Sequence, residues 1–136
     1  MNDVKEITKK GPDLYLRVFP SDRERLDQIR RGYGLSASVL VKALIVRLLN
    51  IIEDQGGLPL LPVRPADEDL DIQEDGESLH LTPLIPEVAT RFEQVRDELN
   101  LSIRDFVMLA IRSGIDAYEK GELVLPRRSS KEDPGS

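Results

Sequence analysis

The sequence predicts a mainly α-helical protein with a short β-ribbon, built from a strand-helix-helix unit that is written twice. Three observations carry this expectation. "DLYLRVFP", residues 13–20, alternates apolar and polar side chains and then stops at a proline. "PSDRERLDQIRRGYGLSASVLVKALI", from Pro20, runs in register with "PEVATRFEQVRDELNLSIRDFVMLAI", from Pro86. Each copy follows an alternating run and ends in an apolar tail that closes at proline and arginine, "GLPLLPVR" and "GELVLPRR", and self-similarity of this kind marks repeated supersecondary units.

Successive strand side chains point to opposite faces, so Leu14, Leu16 and Val18 are expected to face a core and Asp13, Tyr15 and Arg17 to face outward. The first helix is expected to begin near Pro20 and Ser21, because Ser21 and Glu24 have capping-box spacing and proline suits the first turn. It should end at "GYG", where Gly32 or Gly34 can take the left-handed conformation. A second helix starts at "LSAS" with Ser36 as its N-cap. From Val39 to Ile52 only Lys42, Arg47 and Asn50 are polar. A helix so apolar all round must be covered on several sides, and its length and two cations suit a buried interface better than a membrane.

The second copy opens on "LHLTPLI", whose strand register is open by one residue because "TPLIP" is longer than "RVFP". Its helices present Val88, Phe92, Val95 and Leu99, then Ile103, Phe106, Val107, Ala110, Ile111 and Ile115, at amphipathic spacing, and "EKG" closes the second. The chain thus divides into a flexible basic arm (1–12), a first unit (13–62), an acidic linker (63–78), a second unit (79–126) and a disordered tail (127–136), the linker and tail being polar and poor in aromatics.

The chain has 136 residues and a net charge of −6. Residues 1–60 carry ten Lys/Arg against eight Asp/Glu, residues 61–78 one against seven, and residues 79–136 eight against ten. With no cysteine and one histidine, His80, the parts for thiolate metal sites and for Ser-His-Asp or Cys-His catalysis are scarce. No cofactor and no enzymatic activity are expected. "MNDVKEITKK" lacks the apolar core of a signal peptide and no segment is long and apolar enough to span a bilayer, so the expected location is cytoplasmic.

One strand and two helices cannot close a core alone. Two units can, if their strands pair antiparallel and their second helices pack beneath the ribbon. The first strand could pair with "LHLTPLI" in the same chain, an intramolecular pseudo-dimer, or with its own copy in a homodimer. The tether of about 22 residues spans roughly 25 Å as a coil and permits either. Effective concentration favours the intramolecular form, and Pro83 facing Pro83 would weaken a symmetric ribbon twice. The tails, Leu58, Leu60 and Leu61 with Leu123, Val124 and Leu125, are candidates for a second small pairing.

Over residues 13–56 and 79–121 this pattern resembles the ribbon-helix-helix DNA-binding proteins of the Arc, MetJ and CopG type, "GLSASVLVKALI" and "NLSIRDFVMLAI" standing where that family has its turn and second helix. The tandem layout is similar to that of a conjugative-plasmid accessory protein of the same family. The resemblance implies double-stranded DNA as partner, a ribbon in the major groove, and assembly on adjacent sites as at least a dimer. It implies base contacts from Asp13, Tyr15 and Arg17 in the first copy and from His80 and Thr82 in the second. Arg17 could donate twice to guanine, Tyr15 offers a hydroxyl and a ring for a thymine methyl, and Asp13 can only accept. The plain alternatives are a solvated Arg17, a Tyr15 packed at the ribbon edge, and a purely supporting second strand because Pro83 removes a ladder donor.

Phosphate contacts follow from the free donors and positive dipole end of a helix N-terminus. They fall on Ser36, Ala37 and Ser38, and on Ser102, Ile103 and Arg104, although both serines would cap their helices in any case. Lys5, Lys9 and Lys10 form an arm that could reach the backbone or merely solubilise the chain. The leading expectation is a transcriptional repressor. Its rivals are a relaxosome-type accessory protein, an antitoxin, which the short tail disfavours, and a protein-interaction module of the same fold, which Asp13 and the acidic linker favour.

Overall fold

The computed structural model describes residues 13–58 and 76–126. The basic arm with Lys5, Lys9 and Lys10, residues 63–75 of the acidic linker and the tail from residue 127 lie outside the described residues. Four helices and one two-stranded antiparallel sheet follow in the order β1 (Leu14–Val18), α1 (Pro20–Tyr33), α2 (Ala37–Gln55), β2 (Glu77–Leu81), α3 (Pro86–Leu99) and α4 (Ile103–Glu119).

β1 pairs with β2 of the same chain, Leu14 opposite Leu81, Leu16 opposite Leu79 and Val18 opposite Glu77. Val18, Leu79 and Leu81 are buried beneath the ribbon, with Leu14 and Leu16 packed against them. β2 is "ESLHL" rather than "LHLTPLI", so it begins two residues before the expected boundary at 79. The cause is Pro83, which has no N–H to give a ladder, so pairing ends at Leu81. Strands therefore match at an offset of 63 residues and helices at 66, and the extra length before α3 is three residues rather than one. A slip of two preserves the faces where a slip of one would exchange them, and His80 accordingly faces outward as expected.

α1 starts two residues earlier than the capping box requires. Phe19 is its N-cap, no side chain caps it, and Pro20 occupies the first turn. Proline is pre-set for that position and its missing N–H would have been an orphan anyway, which draws Ser21 inside the helix and removes the Ser21–Glu24 box. The Phe19 carbonyl accepts from the Arg23 N–H at 3.0 Å. Gly34 rather than Gly32 terminates α1, at φ 70°, and Asn100 terminates α3 at φ 55°, a conformation that only glycine and asparagine adopt readily.

α2 is covered as its composition demands. Leu40, Val41, Leu44, Ile45, Leu48, Leu49 and Ile52 are buried, against α4, β2, α1 and α3. Gly114 of α4 packs on Leu44 of α2, where an added Cβ would collide with Leu44 Cδ2. Phe92 and Phe106 meet edge to face at 5.0 Å, tying α3 to α4. Arg47 of α2 donates to Ser113 Oγ of α4 at 2.7 Å, and burial lowers its pKa, with Asp116 opposing.

α1 also reaches α4, and α3 reaches α2. Buried Asp22 of α1 takes an ion pair from Arg112 of α4 at 3.1 Å, and that guanidinium lies 4.9 Å from the centre of the Phe19 ring. Arg91 of α3 bonds Asn50 and Glu53 of α2. Leu123 and Leu125 pack on the core while Val124 is exposed. Among the described residues there is no third strand; the expected pairing of the tails, between the copies or between chains, involves Leu60 and Leu61, which lie outside the described residues. No single helix among the described residues is long and apolar enough to cross a membrane.

Because the Gly114 contact falls on a fully buried leucine, Gly114→Ala should cost about 1–3 kcal/mol through overpacking. Combining it with Leu44→Ala should give less than the sum of the two single costs, since the smaller side chain vacates the clash. Urea unfolding of the four proteins of the cycle measures this, and strict additivity would contradict the close helix approach.

Candidate nucleic-acid interface

The ribbon has a second face. Opposite the buried leucines, β1 presents Tyr15 and Arg17 and β2 presents Ser78 and His80, with Asp13 just before β1 and Thr82 just after β2, all exposed. Tyr15 stands directly across from His80 and Arg17 across from Ser78. The Tyr15 and His80 rings stack with centroids 4.6 Å apart and planes 9° from parallel, although Tyr15 stays 75% exposed. His80 Nε2 lies 2.7 Å from Asp13 Oδ2. An ionised carboxylate can only accept, so the imidazole donates from Nε2. Arg17 Nη1 donates to the Gly76 carbonyl at 2.8 Å, which uses one of five donors and anchors the side chain at the Ser78 end.

At the other end the ribbon is latched to α2. The Thr82 N–H donates to Ser38 Oγ at 3.0 Å, the two hydroxyls lie 3.2 Å apart, and Lys42 Nζ bonds the Thr82 hydroxyl. Thr82 thus stands one residue beyond the ladder, with its hydroxyl already engaged. Ser36 caps the helix by accepting from the Val39 N–H at 3.1 Å, and the Leu40 N–H bonds the Ser36 carbonyl. The N–H groups of Ala37 and Ser38 have no partner within the helix, as the first turn of any helix requires. The first turn of α2 carries no carboxylate.

The N-terminus of α4 is built on the same cap with different flanks. Ser102 accepts from the Asp105 N–H at 3.0 Å, Ile103 and Arg104 are half-buried, and Arg104 Nε is buried without a hydrogen-bond partner among the described residues. Asp105 places a carboxylate in the first turn, which opposes an approaching anion. Of the two helix ends, that of α2 is the one without a first-turn carboxylate.

Sequence reading alone missed two residues of this surface. A strand boundary at Leu79 leaves Ser78 in the linker, and only the Pro83 constraint moves it onto the ribbon. Lys42 was visible as a cation in an apolar helix, but its meeting with Thr82 depends on the tertiary fold. No protein-family model, curated protein or solved structure matches this chain.

The outer face does not support the core. Tyr15→Ala and Arg17→Ala should each shift stability by less than about 1 kcal/mol, the scale of an exposed cross-strand pair. Thermal unfolding followed by circular dichroism measures it, and a loss of several kcal/mol would make these residues structural.

Proposed function

We propose that this chain is a sequence-specific double-stranded-DNA-binding protein of ribbon-helix-helix type, acting as a transcriptional regulator, most simply a repressor. In this reading the two strand-helix-helix copies serve as the two halves of one intramolecular binding unit. The observation that carries it is the outer ribbon face, where a guanidinium and a stacked Tyr15–His80 pair project from a two-stranded ribbon, with a carboxylate-free helix N-terminus latched at one end.

The dimensions and chemistry suit a major groove. Two strands about 4.8 Å apart enter a groove about 12 Å wide. Arg17 offers paired donors for guanine O6 and N7, and the Tyr15 ring offers apolar surface for a thymine methyl. Ser36, Ala37 and Ser38 would hold a phosphate at the flank and fix the register, a contact that positions without specifying. The net charge of −6 does not weigh against this, because outside residues 61–78 the chain carries eighteen Lys/Arg and eighteen Asp/Glu. Association follows the local field rather than the sum.

A second reading, a protein-interaction module of the same fold, is favoured by the exposed acids at both ends of the ribbon, Asp13 and Glu77. Salt separates the two. Binding of labelled duplex fragments should weaken steeply as salt rises, because phosphate contacts release counterions. The Tyr15→Ala, Arg17→Ala double variant should lose about ten- to a hundred-fold in affinity for the preferred fragments. No duplex binding by the folded chain at low salt would overturn the proposal in favour of a protein partner.

A further inference from the structure

The ribbon closes within one chain, and this has a consequence for the kind of duplex it can read. Operator symmetry mirrors protein symmetry. A strand paired with its own copy repeats every outward residue on both sides of the ribbon's dyad and calls for a palindrome. Here the ladder runs Leu14–Val18 against Leu81–Glu77, centred on the Leu16–Leu79 pair. Rotation about that centre brings Arg17 onto His80 and Tyr15 onto Ser78. Neither replacement keeps the chemistry.

Arg17 has only donors and selects base acceptors. His80 lies with Nε2 2.7 Å from the Asp13 carboxylate, so with Nε2–H given to Asp13 the ring in its neutral form keeps Nδ1 as an acceptor, and an acceptor selects the amino groups of adenine or cytosine. The phenol of Tyr15 answers to a small hydroxyl at Ser78. The flanks diverge in the same sense. Aligned on the caps Ser36 and Ser102, Ser38 of α2 corresponds to Arg104 of α4, Val39 to Asp105 and Lys42 to Met108. One end of the unit has Lys42 and no first-turn carboxylate, and the other sets the first-turn carboxylate of Asp105 beside Arg104.

We infer that the site read by one chain is a non-palindromic duplex, with Arg17 specifying one half and His80 the other. The inference rests on the DNA-binding reading. It assigns His80 a specificity role through an acceptor, distinct from the donor role of Arg17, and it fixes the direction in which the protein sits on its site.

The test is selection from a pool of duplexes with a randomised core, using the full chain and recovering the one-chain complex from a native gel. Parallel selections use Arg17→Ala and His80→Ala, with folding checked by circular dichroism. The expected motif has no central dyad. Arg17→Ala should flatten base preference by roughly 5- to 150-fold on one side of the centre, and His80→Ala should relax the other side alone. A motif with a central dyad, both halves relaxed together by Arg17→Ala, would overturn the asymmetric site while leaving DNA reading intact. Failure of the folded chain to retain any duplex at low salt would overturn the DNA-binding reading and this inference together.

Discussion

The cover that α2 requires shapes everything around it. A helix with seven buried apolar residues over Ala37–Gln55 cannot stand in water, and α1 with β1 offers too little surface to hide it. The missing surface comes from the same chain, from β2 above and from α4 alongside, where the absence of a side chain at Gly114 lets Leu44 seat against the backbone. Once α2 and α4 lie together, the strands that precede each helix pair are brought side by side. The ribbon is as much a consequence of helix packing as of its own ladder, since an isolated two-stranded ribbon is marginal at best in water.

That arrangement separates the two faces of the ribbon by task. The inner face is fixed by burial, and a one-residue slip would send Leu79 and Leu81 into water. The outer face is free of that constraint and can carry chemistry, here a stacked aromatic pair, a guanidinium and a carboxylate. The latch of Thr82 on Ser38 couples the outer face of the ribbon to the N-terminus of α2. The ion pair between half-buried Arg112 and buried Asp22 joins α4 to α1, and removing one partner of such a pair costs more than the pair itself contributes.

Much of this was legible in the sequence because it depends on period and on local caps. Alternation in "LYLRV" gave the inward and outward sets, the serines at 36 and 102 gave the starts of α2 and α4, and the apolar run of α2 announced its need for cover. What misled were places where a proline outranked a weaker signal. Pro20 displaced the Ser21–Glu24 box, and Pro83 ended the ladder at Leu81, which moved β2 by two residues and put Ser78 on the face. Contacts across the fold, such as Lys42 with Thr82, Arg112 with Asp22 and Tyr15 with His80, have no local signature, since each joins residues far apart in the chain.

The most direct test of the account is whether one chain closes its own ribbon. The sequence has no cysteine, so Tyr15→Cys and His80→Cys together place a single pair of thiols at directly opposed positions. Facing residues in an antiparallel pair are about 4.5 or 5.5 Å apart at Cα, within the span a disulfide bridges. Oxidation of the dilute protein should give an intrachain bond, seen as a faster-migrating monomer on a non-reducing gel. Disulfide-linked dimers as the main product would mean that the strands pair between chains, and would contradict the single-chain ribbon.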